Sequence, residues 1–234
     1  RKEAGGLAEE RRRRQMNDLL MQLNGGNVPA LDLVFMLTLV ALLPSIVIMM
    51  TAFTRIIIIL SFTRNAMGVQ QTPPNTVLAG MALFLTLFIM SPVISQINTE
   101  AYQPYLHQEI TQTEAVERMV VPMKDFMLRN TEKQTLDSFV GMSNTQPKEN
   151  AQDYPLTVVI PAFMTSELKV GFTAGFLIYL PFLLIDVIVS TTLMSMGMVM
   201  LPPTMVSMPF KLLLFISVDG WQLLFGNLIN SFNH

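Results

Sequence analysis

The chain has 234 residues, 51% of them hydrophobic and 14% charged, with a mean hydropathy of +0.45, a balance outside that of ordinary soluble domains. A net charge of −2, with no basic stripe interleaved with aromatics, argues against nucleic acid as a partner. The lack of cysteine excludes disulfides, thiolate metal sites and cysteine nucleophiles together.

At the N-terminus, "AEERRRRQMNDLLMQLNGG" reads as a short amphipathic helix with Met16, Leu19, Leu20 and Leu23 on one side, ended by Asn24-Gly25-Gly26. Arg11 to Arg14 form a solvated helix face or a membrane-surface anchor. No apolar h-region is present, so no signal peptide is expected within these residues.

A bilayer core about 30 Å thick is crossed by about 20 apolar residues. Leu33 to Leu60 is such a run and carries one charge, Arg55. Arg55 lies past the first twenty-odd apolar residues, where its stem can let the guanidinium snorkel to the interface; the alternative is a buried charge or a subunit contact, as for Lys211. The turn "TRNAMGVQQTPPN" follows: its prolines end one helix, and Asn75 is expected to cap the next. Thr76 to Ile97 is uncharged. Pro44, Pro92 and Pro181 suit bent helices packed among protein.

Asn98 to Tyr154 carries nine acidic and five basic residues and no long apolar run. Thr111 and Glu114 make a capping box, followed at helical spacing by Val116, Met119, Val120, Met123 and Met127. Pro122 is expected to divide this helix. Thr131 with Gln134 marks a second start ahead of Leu136, Phe139 and Val140, and "SNTQPKENAQDYP" reads as an exposed loop. No strand pattern appears.

"PAFMTSELK" reads as a helix entry, with Thr165 or Ser166 capping and Glu167 and Lys169 in the first turn. Gly171 and Gly175 have the small-xxx-small spacing that lets helices approach closely, within the chain or between copies. Val170 to Phe210 carries only Asp186 and is too long for one crossing. Pro202-Pro203 breaks it, with a new helix from about Met205. Leu212 to Ile229 carries only Asp219, beside Gly220 and Trp221. Charges inside apolar segments are paired or functional. Asp186 and Asp219 are therefore expected at interhelical or subunit contacts, with Lys169, Lys211 or a partner's cation; a proton relay is the sharper alternative.

Met194, Met196, Met198 and Met200 occupy alternate positions before the prolines. On a continuous helix Met194 and Met198 share one face, and Met196 and Met200 a nearly opposite one. If one pair packs inside, the other faces a neighbour or a lumen. Flexible, polarizable thioethers fill irregular cores, and they also yield around varied partners.

The reading is all-α: two long, bent apolar hairpins (31–97 and 157–234) flanking a small polar helical domain (98–156), after an N-terminal tail (1–30). Enzyme chemistry lacks an inventory. His107 and His234 form no HExxH, no GxSxG or GxxxxGK[ST] occurs, and Asp219-Gly220 reverses the usual glycine-aspartate order of intramembrane proteases. Neither metal nor cofactor is expected.

"FTRIIIILSFTRNAMGVQQTPPN", "PAFMTSELKVGF", "IYLPFLLIDVIVSTTLMSMGMVMLPP" and "MPFKLLLFISVDGWQLL" stand in order within Leu33 to Phe232. In these blocks the chain resembles the flagellar biosynthetic protein FliP family, whose relatives occur in virulence type III secretion. The resemblance implies an export-gate subunit, copies of which form a ring with FliQ and FliR, near FlhB, around a pore for unfolded flagellar proteins. Four helices, each about 10 to 12 Å across, enclose no such conduit alone, so a ring of copies or partners is required. The family's methionine cluster borders the closed pore, which makes Met194, Met196, Met198 and Met200 gasket candidates, with Val199 an interruption. Energy would come from the proton gradient and a separate ATPase.

The resemblance also implies the bacterial inner membrane, at the flagellar basal body, with the polar domain in the periplasm after removal of a signal peptide. Arg11 to Arg14 argue for the opposite orientation, while Arg64 and the acidic polar domain favour it. The alternative is a proton-coupled small-solute transporter with Asp186 and Asp219 at its centre.

Overall fold

A computed structural model describes residues 30–69, 71–143, 145–198 and 200–232. Among them every regular element is helical. The amphipathic N-terminal segment and the arginine cluster lie outside the described residues.

The chain divides into two compact units, 1–46 and 47–234. The described part of the first is helical and exposes Leu33, Val34, Met36, Leu37 and Val40. It belongs to α1 (Ala30–Met49). The expected single run to Leu60 is divided at Met50 to Ala52, where the Thr51 hydroxyl and amide both donate to the Ile48 carbonyl. A local side-chain bond of this kind competes with the helical ladder.

In the second unit, α2 (Phe53–Ala66) is followed by a turn and α3 (Asn75–Ile97). Asn75 does not cap α3. Its Oδ1 accepts from Arg64 Nη1 at 2.6 Å, so Arg64 staples the turn instead. The helix runs on through a π-helical stretch, Asn98–Tyr102, into α4 (Gln103–Leu106).

Two polar helices follow, α5 (Gln112–Arg129) and α6 (Lys133–Met142). Thr111 Oγ1 accepts the Glu114 amide, but Glu114 turns to Arg118 rather than back to the cap. Pro122 does not divide α5. Its ring is fully buried, and that apolar burial offsets one missing amide donor. Val116 is exposed, whereas Met123 and Met127 of the expected stripe pack into the core, with Ala115, Pro122 and Phe126 buried beside them. Glu132, not Thr131, is the cap residue of α6. The segment before α7 is partly tied down: a short 3-10 turn spans Ala151–Asp153, Lys124 Nζ donates to the Gln152 carbonyl, and the Lys148 amide donates to the Tyr154 hydroxyl at 3.0 Å.

α7 (Leu156–Ser195) runs 40 residues through Pro161 and Pro181. α8 (Pro203–Ser217) and α9 (Gly220–Asn230) meet at a 62° bend. Among the described residues, two helices are long and apolar enough to cross a membrane, Asn75–Leu106 and Leu156–Ser195, and the bent pair makes up to a third. One buried core unites α2, α3, α5, α6, α7 and α9 through Ile56, Leu60, Leu78, Met127, Val159, Phe163 and Leu228. The polar helices thus share their apolar interior with the oily ones. A smaller cluster packs Phe182 on Phe215, with Trp221 edge-on to Phe215 at 5.1 Å.

Candidate functional site

The methionine-bearing break is built from backbone rules. α7 stops at Ser195 with Met196 as its cap residue, and Gly197 follows at φ +73°. The Gly197 amide donates to the Met194 carbonyl at 3.1 Å and the Met198 amide to Leu193 at 3.0 Å, the paired bonds of a left-handed glycine terminator. Pro202 then caps α8 and Pro203 occupies its first turn, where fixed φ and a missing donor cost nothing.

The helical projection of the four methionines therefore fails, because the helix ends between Met194 and Met196. Met194, Met196 and Met198 are 64%, 66% and 40% exposed, and Met200 is 99% exposed. None packs inside the protomer.

Beneath the break lies a polar clasp. Asp186 on α7 accepts from Lys211 Nζ at 2.5 Å and from Ser207 Oγ at 2.6 Å, both on α8. Lys211 and Ser207 are buried. In an apolar setting an ammonium needs such a partner, so the clasp fixes the register of α8 on α7. A pocket of about 470 Å³ opens beside it, lined by Asp186, Thr191, Met194, Pro203 and Thr204.

Asp219 is placed differently. It stands between α8 and α9 at φ +50°, exposed, with no side-chain capping bond. The apolar run Leu212 to Ile229 breaks there, so Asp219 is a junction residue and not a charge within a helix. Gly220 lies directly against the Phe215 ring, which leaves no room for a Cβ.

Arg55 does not snorkel; of the two expectations it takes the buried one. It is 4% exposed, and Glu167 is fully buried. Arg55 Nε donates to Glu167 Oε2 at 2.9 Å and Nη2 donates to Oε1. Nη1 donates at 3.1 Å to both the carbonyl and the hydroxyl of Ser231, and the guanidinium lies 3.8 Å above the Phe232 ring. A bidentate fork with its remaining edge and face engaged is how a buried guanidinium is made tolerable.

Glu167 and Lys169 stand in the interior of α7, not at a helix entry. Ser166 Oγ accepts the Glu132 amide at 3.0 Å, so α7 supplies a partner to the start of α6. Lys169 does not pair with an aspartate. It donates to Glu132 at 2.6 Å, and that hydrogen bond holds the Glu132 carboxyl below its ordinary pKa. "TSELK" is thus a polar node joining α2, α6, α7 and the end of α9. A cavity of about 560 Å³ lies beside it, lined in part by Arg55, Glu132, Lys169 and Ser231. The sequence signal was available: a serine, a carboxylate and a lysine in four residues of an otherwise apolar stretch.

Gly171 and Gly175 pack within the protomer. A Cβ on Gly171 would lie 3.3 Å from Ile58 and one on Gly175 would lie 2.6 Å from Phe62, both on α2. Among the described residues no cluster of three or more potential metal ligands occurs.

Long apolar helices with exposed oily faces, joined through buried ion pairs, define an α-helical membrane protein. A sequence model of the FliP family matches residues 36–228, and the chain belongs to that family. It is 45% identical over 222 residues to the flagellar biosynthetic protein FliP of Aquifex aeolicus (strain VF5), covering 93% of this chain and 92% of that one. With the protein of the same name from Bacillus subtilis (strain 168) it shares 48% over 200 residues, 86% of this chain and 90% of that one. With that of Pectobacterium carotovorum the figure is 46% over 211 residues, 89% and 82%. These relatives give the small-solute transporter reading no support.

Proposed function

We infer that the chain is a subunit of the flagellar type III protein export gate. Several copies, with FliQ and FliR and beside FlhB, surround a pore through which unfolded flagellar proteins leave the cell. The gate sits in the bacterial inner membrane at the flagellar basal body. Residues 31–97 and 157–234 act as its two apolar hairpins, 98–156 as a small domain on the periplasmic side, and 1–30 as a tail.

One observation carries this reading: the thioethers at the α7–α8 break are exposed in the protomer, with Met200 almost wholly so. Oily side chains so placed require cover, and a ring of copies supplies it by bringing the breaks to a common axis. Soft side chains would then close the pore at rest and deform around a passing chain. Phe172, Phe176, Leu180, Leu184 and Ile188, exposed along α7, offer a surface for the neighbouring copy or a partner. Asp186 and Lys211 hold each break in register.

Native mass measurement of the purified complex with its partners is the test. A high-order assembly containing several copies of this chain is expected. A monomer or dimer that retains full export activity overturns the reading.

A further inference from the structure

We propose that Gly197 positions the methionine rim, its left-handed backbone setting the direction in which the chain leaves α7. The inference deepens the gasket reading and rests on it. Pro202 and Pro203 alone would allow α7 to continue past Ser195, since a proline disturbs the turn preceding it and not residues six or seven positions earlier. The helix nevertheless stops at Ser195.

What stops it is the pair of bonds from the Gly197 and Met198 amides to the Met194 and Leu193 carbonyls, which requires a positive φ at the residue between the helix cap and Met198. Leu193 is buried, so this closure is anchored in the packed part of the protomer. On the far side the Leu201 amide donates to the Met198 carbonyl at 3.3 Å, and Pro202 and Pro203 begin α8. The Asp186 clasp to Lys211 and Ser207 holds the two helices together below. Both ends of the rim are thus determined by backbone chemistry.

Gly197 has a further property that makes the inference testable. A Cβ built on it meets nothing within 4 Å, so substitution perturbs backbone conformation without a steric clash. Asparagine enters the left-handed region several-fold more readily than other non-glycine residues, whereas a β-branched residue there is an outlier. Gly197→Val and Gly197→Asn therefore separate backbone conformation from the mere presence of a side chain.

The experiment compares the wild-type gate with gates carrying Gly197→Val, Gly197→Asn or the triple change Met196→Ala, Met198→Ala and Met200→Ala. Each is expressed with its partner subunits, weighed by native mass, and assayed for resting ion conductance. All should reach the wild-type mass. Gly197→Val and the triple variant should show a several-fold rise in conductance, while Gly197→Asn stays near wild type.

A tight Gly197→Val gate beside a leaking triple variant overturns the inference and leaves the gasket standing; a tight triple variant overturns the gasket itself. Equal leakage from Gly197→Asn and Gly197→Val also overturns the inference, because φ would then not be the cause. If Gly197→Val fails to assemble, Gly197→Ala takes its place in the comparison, and failure of Gly197→Ala to assemble assigns Gly197 to folding and refutes the positioning role.

Discussion

Arg55 and Glu167, 112 residues apart in the chain, close on each other in a two-pronged ion pair sealed from solvent. Breaking one side of such a pair strands a buried charge and costs about 3–5 kcal/mol, whereas replacing both sides with apolar residues is often nearly neutral. Arg55→Met alone and Glu167→Leu alone should therefore each lower the thermal midpoint of the detergent-solubilised protein markedly, and the double variant should recover most of the loss. Additive losses in the double variant would show that the two residues do not act as a pair.

The two aspartates should behave oppositely. Lys211→Met leaves Asp186 without its cation in a largely buried clasp and should abolish export, while Ser207→Ala removes one charge-assisted bond and costs about 1.5–3 kcal/mol. Asp219→Asn touches an exposed residue with no side-chain bond, at a φ that asparagine tolerates, and should shift stability by no more than about 0.5 kcal/mol. Secretion assays and thermal unfolding of the three variants check this order.

The two glycines facing α2 are also distinguishable. Gly171→Ala meets Ile58 at 3.3 Å, and the alanine's helix preference of roughly 0.5–1 kcal/mol offsets that crowding. Gly175→Ala drives a Cβ to 2.6 Å from Phe62, whose ring stands edge-on to Phe172. Overpacking of this kind costs about 1–3 kcal/mol. Equal thermal midpoints for the two variants would contradict the contact.

Acidification should loosen the joint between α6 and α7. The Glu132 carboxyl is held below its ordinary pKa by the Lys169 hydrogen bond, so its contribution is complete above the unfolded-state pKa near 4.5 and disappears as pH falls through the lower folded value. Hydrogen exchange at the start of α6 should accelerate below about pH 4.5 in the wild type more than in Lys169→Met. An equal acceleration in both would place the sensitivity elsewhere.

Leakage through the resting gate should follow the exposed methionines individually. Met200→Ala removes the most exposed thioether and should raise conductance more than Met194→Ala, whose residue precedes the turn. The reverse order would move the constriction toward α7.

Much of the fold was legible because apolar runs and proline pairs act locally. The break between α2 and α3, which starts after Ala66 and not at Thr63, the Thr111 cap and the break before α8 could be read from composition and spacing. Competing side-chain bonds, near and far in sequence, decide the places where the structure departs from that local reading. For Arg55 burial and snorkelling stayed open because its partners, Glu167 and Ser231, lie 112 and 176 positions away. Asn75 is a good cap by chemistry, yet Arg64 competes for its side chain. For the methionines, an unbroken helical projection was the wrong geometry: Gly197 was in view in the sequence, but its conformation depends on where the buried Leu193 pins the last turn.

α7 is far longer than a single crossing needs. Forty residues at about 1.5 Å each make a rod of about 60 Å, twice the thickness of a hydrocarbon core. Even at a steep tilt of about 40°, roughly a third of it projects beyond the acyl chains. Apolar surface on that projecting length needs cover from other polypeptide, and Val158, Val159, Ala162 and Phe163 find it against Phe126, Met127, Leu136 and Val140 of the polar helices.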